Sequence, residues 1–441
     1  MPPDYTRPSR AATPTSPRDP ATAQKTRPLR YGRGMTPAPL RIAVVVLHTS
    51  PLDEPGTKDA GGMNVVVRAH ARELARLGHD VHLITRRSDP AQPDAVTLEP
   101  RLTVHHLDAG PARLLAKGEH EALIPPFRAA LTAHLARHPV DLIHAEHWYS
   151  GLAALPIARD HRLPLVQSYH SIAAPDTTPL SAGERPEAPG RLAGERTLAR
   201  DATLVVTVSD AERRTVLDRL GGDPARVRVV TPGVDTDLFH PCTPDELNEA
   251  TEWIAHGGRP EVLVAGRLHP LKGFDLAIAA VAAIPPAHRP ALRIVGAPPP
   301  DGDAYVEALH TAVASAHMLA TTSFDGALHR SQLAERLRHA TVVLIPSHSE
   351  TFGLVALEAA ASGVPVIARN AGGLREAVRD GETGILVDGG DPTVWARVIA
   401  ELLVDPPRLE ALGARARAHA LDRTWRASAE ELLAAYRSVL A

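Results

Sequence analysis

The sequence predicts an α/β protein with two Rossmann-like, doubly wound domains that face a common cleft, and a C-terminal helix that crosses back to the first domain. Three observations support this fold class. The 441 residues suffice for two or three domains with large cores. Short apolar runs alternate with helical patterns in two successive series. The chain then ends in a strongly amphipathic segment, residues 424–440.

The first series opens with residues 40–48, a continuous apolar run typical of a strand buried on both faces of a parallel sheet. Residues 65–78 follow with helical periodicity and end at Gly78, a favoured helix stop. The same reasoning predicts strands at 79–86, 102–109, 141–147, 163–170 and 203–209, and helices near 121–137, 150–159 and 191–201.

The second series begins after residues 227–241. Its predicted strands are 261–268, 292–297, a weak segment near 316–321, 341–347, 364–370 and 383–388. Its predicted helices are 273–283, 303–315, 331–338, 353–362, 373–379 and 392–404. Ligands of open α/β sheets bind at the carboxyl ends of the strands, so both sheets are expected to present those ends to the cleft.

These elements divide the chain into a tail, two domains and a final helix. Residues 1–38 are rich in Pro, Thr and Arg, lack apolar periodicity and are expected to be disordered. We expect the first domain at 39–220, the second at 221–420 and the crossover helix at 421–441.

Composition argues against several classes of partner. The net charge of −3 gives no overall attraction to nucleic acid or to anionic membranes. No apolar run is long enough to cross a bilayer. Cys242 is the only cysteine, which rules out an intrachain disulfide and favours a reducing, cytoplasmic compartment.

A pair of cations follows the first strand of the second series. The segment GRLHPLKG places Arg267 and Lys272 on the loop at the carboxyl end of that strand. A guanidinium fork and an ammonium point charge facing a cleft suit a diphosphate. The alternative is a solvated loop that carries two surface charges.

An apolar stretch with two glutamates, SHSETFGLVALEAAASGVP, supplies the complementary half of this site. A helix beginning near Phe352 would expose backbone N–H groups to an anion, and Gly353 would allow close approach. Glu350 and Glu358 would lie roughly 12 Å apart along the axis and could each hold a vicinal diol of one extended ligand. Alternatively, Glu350 is a loop charge and Glu358 a carboxylate favoured by the helix dipole.

Arg267, Lys272, Glu350 and Glu358 together resemble the donor site of the family 4 retaining glycosyltransferases, which have the GT-B fold. The segment HTSPLDEPGTKDAGGMN, residues 48–64, narrows the resemblance to the inositol-phosphate glycosyltransferases of actinobacterial mycothiol biosynthesis. The resemblance extends from about residue 40 to the C-terminus. It implies an acceptor-side first domain and a nucleotide-sugar-binding second domain.

The helix argument and the resemblance together assign sixteen candidate site residues. The candidate catalytic residues are His170, Arg267, Lys272 and Glu350. The candidate donor-binding residues are Gly61, Gly62, Arg267, Lys272, Glu350, Phe352, Gly353, Leu354 and Glu358. The candidate acceptor-binding residues are His48, Asn64, Lys117, His147, Ser171 and Arg191.

The resemblance also implies a reaction. The donor would be UDP-N-acetylglucosamine, the acceptor an inositol phosphate, and the leaving phosphate would help to deprotonate the acceptor hydroxyl on the front face of the sugar. Substrates are expected to be small molecules, with no tightly bound cofactor and no dedicated metal site. A Mg²⁺ ion could accompany the diphosphate, and the family suggests a homodimer.

Departures from the family pattern leave the acceptor open. His147 stands where the family has Tyr, Ser171 where it has Thr, and PDTTP at 175–179 replaces a Lys-Asn pair. One alternative is a natural-product glycosyltransferase whose cyclitol, aminocyclitol or thiol acceptor lacks a phosphate. A sugar-nucleotide 2-epimerase and a non-catalytic nucleotide-sugar-binding protein are further alternatives.

Overall fold

A computed structural model describes residues 38–54, 61–255, 257–298 and 302–440 of the chain. This part of the chain forms two sheets flanked by helices, as the alternating sequence pattern predicts. The predicted disordered tail lies outside the described residues except for Ala38.

The first sheet is parallel except at one edge. Its strands are β1 (Arg41–Val46), β2 (Asp80–Arg86), β3 (Ala95–Glu99), β4 (Leu102–Leu107), β5 (Leu142–Glu146), β6 (Leu165–Ser168), β7 (Leu204–Thr207) and β8 (Val227–Val229). Within the described residues their order is β3-β4-β2-β1-β5-β6-β7-β8, and only β3 pairs antiparallel. The helices of this domain are α1 (Gly62–Arg76), α2 (Ile124–Arg137), α3 (His147–His161), α4 (Arg191–Asp201) and α5 (Asp210–Asp218).

The second sheet is entirely parallel within the described residues. Its strands are β9 (Glu261–Ala265), β10 (Ala291–Val295), β11 (Thr322–Gly326), β12 (Val342–Ile345), β13 (Val366–Arg369) and β14 (Gly384–Val387), in the order β11-β10-β9-β12-β13-β14. The remaining helices are α6 (Pro244–Ala255), α7 (Phe274–Ala283), α8 (Asp303–Ser315), α9 (Arg330–His339), α10 (Leu354–Ala361), α11 (Leu374–Ala377), α12 (Pro392–Leu403), α13 (Pro406–Leu421) and α14 (Trp425–Arg437).

Five strands and helices of the structure were not predicted, and one predicted strand is displaced. Strand β3 is an exposed edge strand, and α5 and α13 carry many charged residues, so the apolar patterns that mark buried elements are weak there. Helix α6 was missed as well. Strand β8 was not predicted either. The domain boundary expected at residue 221 puts its residues in the second domain, but the strand pairs with β7 of the first sheet. Strand β11 begins at Thr322, just beyond the weak segment near 316–321.

The C-terminal helix returns to the first domain, as predicted. Leu432 and Tyr436 of α14 are buried in one apolar cluster with Ile42 of β1. The two chain segments that cross between the domains are tied together, because the Val234 N–H donates to the Arg423 carbonyl at 2.8 Å. A Cβ on Gly233 would lie 2.4 Å from the backbone nitrogen of Trp425, so the two crossings also pack closely.

Membrane insertion through a helix finds no support in the described part of the chain, where no helix combines the length and apolarity needed to span a bilayer.

Candidate active site

The carboxyl edges of the two sheets face each other across a cavity of about 430 Å³. Fifteen of the sixteen candidate residues line it: His48, Gly61, Gly62, Asn64, Lys117, His147, His170, Ser171, Arg267, Lys272, Glu350, Phe352, Gly353, Leu354 and Glu358. The residues come from both domains, so folding brings the predicted donor and acceptor groups into one space.

The loop after β9 places Lys272 beside the turn that precedes α10. Gly273 has a φ of 69°, and a Cβ there would lie 2.4 Å from the Pro346 carbonyl oxygen, which makes glycine necessary for this close approach. Lys272 Nζ then lies 2.5 Å from Glu350 Oε1. The Ser347 hydroxyl donates to the same oxygen at 3.0 Å.

Lysine is rare in this chain, which makes its placement informative. The sequence contains four lysines among 48 basic residues, and Lys117 and Lys272 are the two that fall in the described part. Both line the cavity. Arg267 joins them, with about a third of its side chain exposed. Two of the three cations, Arg267 and Lys272, lie on the second-domain wall, and cations there suit a diphosphate.

The N-terminus of α10 opens into the same cavity. Gly353, the residue before the helix, has a φ of 110°, and a Cβ there would lie 2.7 Å from the Leu374 side chain. The N–H groups of Phe352, Gly353 and Leu354 donate to no acceptor among the described residues. Gly62 faces this end from α1, and its Cβ would lie 3.2 Å from Leu354 Cδ1. The end of α10 therefore presents backbone N–H groups to the cavity, as anion-binding helix ends do, and a second helix N-terminus approaches it.

The second glutamate of the pair lies deeper in the cavity. Glu358 is buried, and its Oε1 lies 2.9 Å from Arg330 Nη1. Burial raises the pKa of Glu358, and the Arg330 guanidinium opposes this effect. Arg330 also stacks over the Phe239 ring at 5.0 Å. Arg330 lines the cavity and was not predicted, because a single arginine at a helix start has no distinctive sequence pattern.

A buried histidine–glutamate pair stands on the first-domain side. His170, in the left-handed backbone region at φ 60°, places its Nε2 2.6 Å from Glu146 Oε2. Burial alone would lower the pKa of His170, but the Glu146 carboxylate outweighs it and raises the pKa. The Thr351 hydroxyl donates to the His170 carbonyl at 3.0 Å, which joins the two domains at this point. Sequence reasoning missed Glu146, since its role depends on the neighbouring strand.

Arg191 is the one candidate residue that does not line the cavity, and its predicted acceptor contact is not supported. It is fully buried. Its Nε donates to Glu195 at 2.8 Å, its Nη1 bonds Glu187 and lies 3.3 Å from Glu184, and its Nη2 donates to the Ser171 hydroxyl at 2.9 Å. The guanidinium N–H groups are therefore already paired with neighbouring side chains, because three acidic residues surround Arg191.

Two histidines at the acceptor end are neutral. Burial lowers the pKa values of His48 and His147 to well below the usual range. Their rings lie 4.3 Å apart between centroids, and neither ring nitrogen of His147 finds a hydrogen-bond partner among the described residues. The two neutral rings therefore add no positive charge to this end of the cavity. The Asn64 amide instead holds the preceding loop, since it donates to the Thr49 hydroxyl and the Ser50 carbonyl.

These features together define a class of enzyme. Two doubly wound domains enclose a cavity whose second-domain wall carries basic side chains, helix N–H groups and two carboxylates, which is the organisation of a GT-B glycosyltransferase. A family model described as "Family 4 Glycosyltransferase in conflict systems" matches residues 53–432. The chain belongs to the family 4 glycosyltransferases.

Curated relatives and solved structures agree with this assignment. A D-inositol 3-phosphate glycosyltransferase of Kineococcus radiotolerans is 40% identical over 413 residues, which cover 90% of this chain and 95% of the relative. An enzyme of the same name from Geodermatophilus obscurus is 40% identical over 415 residues, 92% and 90% of the two chains. The solved sucrose-phosphate synthase of Thermosynechococcus elongatus superposes with a TM-score of 0.81 at 30% identity, over 91% of this chain and 99% of that one. The Anabaena protein HepE, solved with UDP and glucose, shares the fold at a TM-score of 0.71 and 22% identity, over 90% and 100% of the two chains.

Proposed function

We propose that this glycosyltransferase moves N-acetylglucosamine from UDP-N-acetylglucosamine to a hydroxyl of an inositol-phosphate acceptor, with retention of anomeric configuration. The observation that carries the donor half is the convergence of Arg267, Lys272 and the open amides of α10 on one cavity. The acceptor half of the proposal is supported by relatives that align with most of this chain at about 40% identity and are named D-inositol 3-phosphate glycosyltransferases.

The donor would lie along the second-domain wall. Its diphosphate would contact Arg267, Lys272 and the N–H groups at the start of α10, which are preorganised to stabilise the charge that grows on the leaving phosphate. Glu358, buried deeper, would accept hydrogen bonds from the ribose hydroxyls. Glu350, beside Lys272, would hold hydroxyl groups of the transferred sugar.

Sugar transfer would take place on one face of the anomeric carbon. The bond from that carbon to the leaving diphosphate oxygen breaks as the acceptor oxygen approaches from the same side. The acceptor proton passes to the departing phosphate, so the products are UDP and the α-linked glycoside. His170, whose pKa is raised by its contact with Glu146, would donate a hydrogen bond that positions the sugar or the acceptor.

The proposal needs no resident cofactor, since the basic residues and helix amides can neutralise the diphosphate. A Mg²⁺ ion could enter with the donor, and rates measured with and without EDTA test this point. We also expect action in the cytoplasm and a homodimer, the latter testable by light scattering of the purified protein.

The decisive experiment incubates the protein with UDP-, GDP- and ADP-sugars, each with D-inositol 3-phosphate. We expect UDP release with UDP-N-acetylglucosamine and a product whose anomeric proton shows the small coupling constant of an α-glycoside. Transfer with inversion, or no transfer from any UDP-sugar, would refute the proposal. An epimerised sugar nucleotide from donor alone would instead identify an isomerase.

A second candidate is transfer to a cyclitol, aminocyclitol or thiol acceptor that carries no phosphate. One observation favours it: Lys117, the cation expected to bind the acceptor phosphate, is already paired with Glu184 at 2.9 Å. Running the same assay with unphosphorylated myo-inositol and with a diaminocyclitol distinguishes the two candidates.

A further inference from the structure

The backbone of Glu184 is held in a fixed position at the acceptor end of the cavity. The Ala174 N–H donates to the Glu184 carbonyl at 2.8 Å, and Ala173 forms a β-bridge with Glu184. The preceding Gly183 has a φ of 136°, and a Cβ there would lie 2.7 Å from the Ile172 carbonyl oxygen. The local fold therefore requires glycine at position 183 and directs the next side chain into the cavity.

The carboxylate of Glu184 lies among three cations. Its Oε1 is 2.9 Å from Lys117 Nζ and 3.9 Å from Arg267 Nη2, and its Oε2 is 3.3 Å from Arg191 Nη1. Burial alone would raise the pKa of Glu184, but the three cations hold that pKa well below the usual range. Glu184 is therefore ionised across the working pH range, and it pairs with Lys117, the residue to which the family resemblance assigns the anionic group of the acceptor.

The surrounding charges leave little attraction for a second anion. Arg191 is balanced by Glu187 and Glu195 in addition to Glu184. Lys117 is balanced by Glu184 itself. A phosphate that approached Lys117 would meet the Glu184 carboxylate at close range, and two anions that share one site repel strongly.

We propose that Glu184 is an internal competitor for the anion position beside Lys117 and that it lowers the affinity of the acceptor site for a phosphate, so that a phosphorylated acceptor is favoured less strongly than the cations alone would allow. A phosphorylated acceptor binds by displacing the carboxylate from Lys117. A hydroxyl or ammonium group binds beside the carboxylate and donates to it. The inference rests on the proposed function only for the location of the acceptor.

The test compares the native protein with Glu184→Gln, which keeps the shape and removes the charge. Isothermal titration of inorganic phosphate, and of D-inositol 3-phosphate with UDP present, measures the anion affinity directly. We expect both dissociation constants to fall by about tenfold in the variant, because one like charge is removed from within contact distance. The matched control is Glu382→Gln, an exposed glutamate, and should leave both constants unchanged.

Unchanged or weaker phosphate binding in a variant that still binds UDP would overturn the proposal. If Glu184→Gln does not fold, Glu184→Asp is the second variant, since it keeps the charge but withdraws it by one methylene. We expect an intermediate gain in phosphate affinity from Glu184→Asp, and the absence of any gain would also overturn the inference.

Failure of the proposed function would give a different result. It would appear as absent transfer by the native protein, whereas the phosphate titrations would still show whether Glu184 competes with the anion.

Discussion

Replacement of Lys272 by alanine tests the centre of the proposed mechanism. The ammonium group lies in the cavity, 2.5 Å from Glu350 and on the same wall as Arg267 and the N-terminus of α10. The truncation would remove one of two side-chain cations from the donor site. It would also leave the partly buried Glu350 carboxylate with only the Ser347 hydroxyl from its present partners.

The expected magnitude follows from the charges. Two unit charges about 4 Å apart attract by about 4 kcal/mol at the effective dielectric constant of a protein site, roughly 20. Glu350 already offsets part of the lysine charge, and Arg267 and the α10 amides remain in the variant. We therefore expect a loss of about 3 kcal/mol in transition-state stabilisation, which is a hundredfold or greater fall in kcat/KM.

The assay is UDP release under kcat/KM conditions, with UDP affinity measured separately by titration. Lys272→Arg keeps the charge and should retain more activity than the alanine variant. Arg397→Ala, which removes an exposed cation from α12, is the control for a general change in charge and should behave as the native protein does. Near-native kcat/KM in a folded Lys272→Ala protein would contradict the donor-site assignment.

Three further variants test other parts of the structure. Glu358→Gln should weaken donor binding and raise the KM for the donor more than it lowers kcat, and an unchanged UDP affinity would exclude the ribose contact. Glu146→Gln should shift the alkaline limb of the pH–rate profile to lower pH, because the carboxylate that raises the His170 pKa is lost; an identical profile would mean that His170 does not act as a cation. Burial raises the pKa of Glu212 to about 7, so the folded state holds this proton more tightly than the unfolded state, and the stability that it confers is lost as the pH rises from about 4.5 to 7. Chemical denaturation should therefore show Glu212→Gln to be more stable than the native protein by up to about 3 kcal/mol at pH 8 and nearly equal at pH 4.5, and a pH-independent difference would refute the assignment.

Much of the fold was predictable because parallel strands buried on both faces leave continuous apolar runs. The run at 40–48 contains β1, and the run at 341–347 contains β12. The predictions failed where an element is exposed or lies at an edge. Strand β3 has no fully buried residue, and β8 is only three residues long. The sheet to which β8 belongs depends on pairing across space, which its position in the sequence does not reveal.

The clustering of the residues assigned to the donor was also predictable from the sequence. Short loops and one helix carry the cations Arg267 and Lys272 and the two glutamates, which have seven residues between them. Local geometry follows from local sequence in such elements. Two residues that form ion pairs with the candidate site residues were missed, because each is distant in the chain from its partner. Arg330 reaches Glu358 across two helices, and Glu146 reaches His170 across neighbouring strands.

Sequence patterns alone predict two α/β domains with parallel sheets, the loops at their carboxyl edges and the chemical types of the residues assigned to the donor, because periodicity and helix termini are local properties of the chain. Which charges are available to a ligand, in contrast, depends on how the chain folds. Arg191 reads as a free cation in the sequence, but the fold surrounds it with Glu184, Glu187 and Glu195. Electrostatic energy depends on distances in space and on burial, and neither quantity can be obtained from the order of residues along the chain.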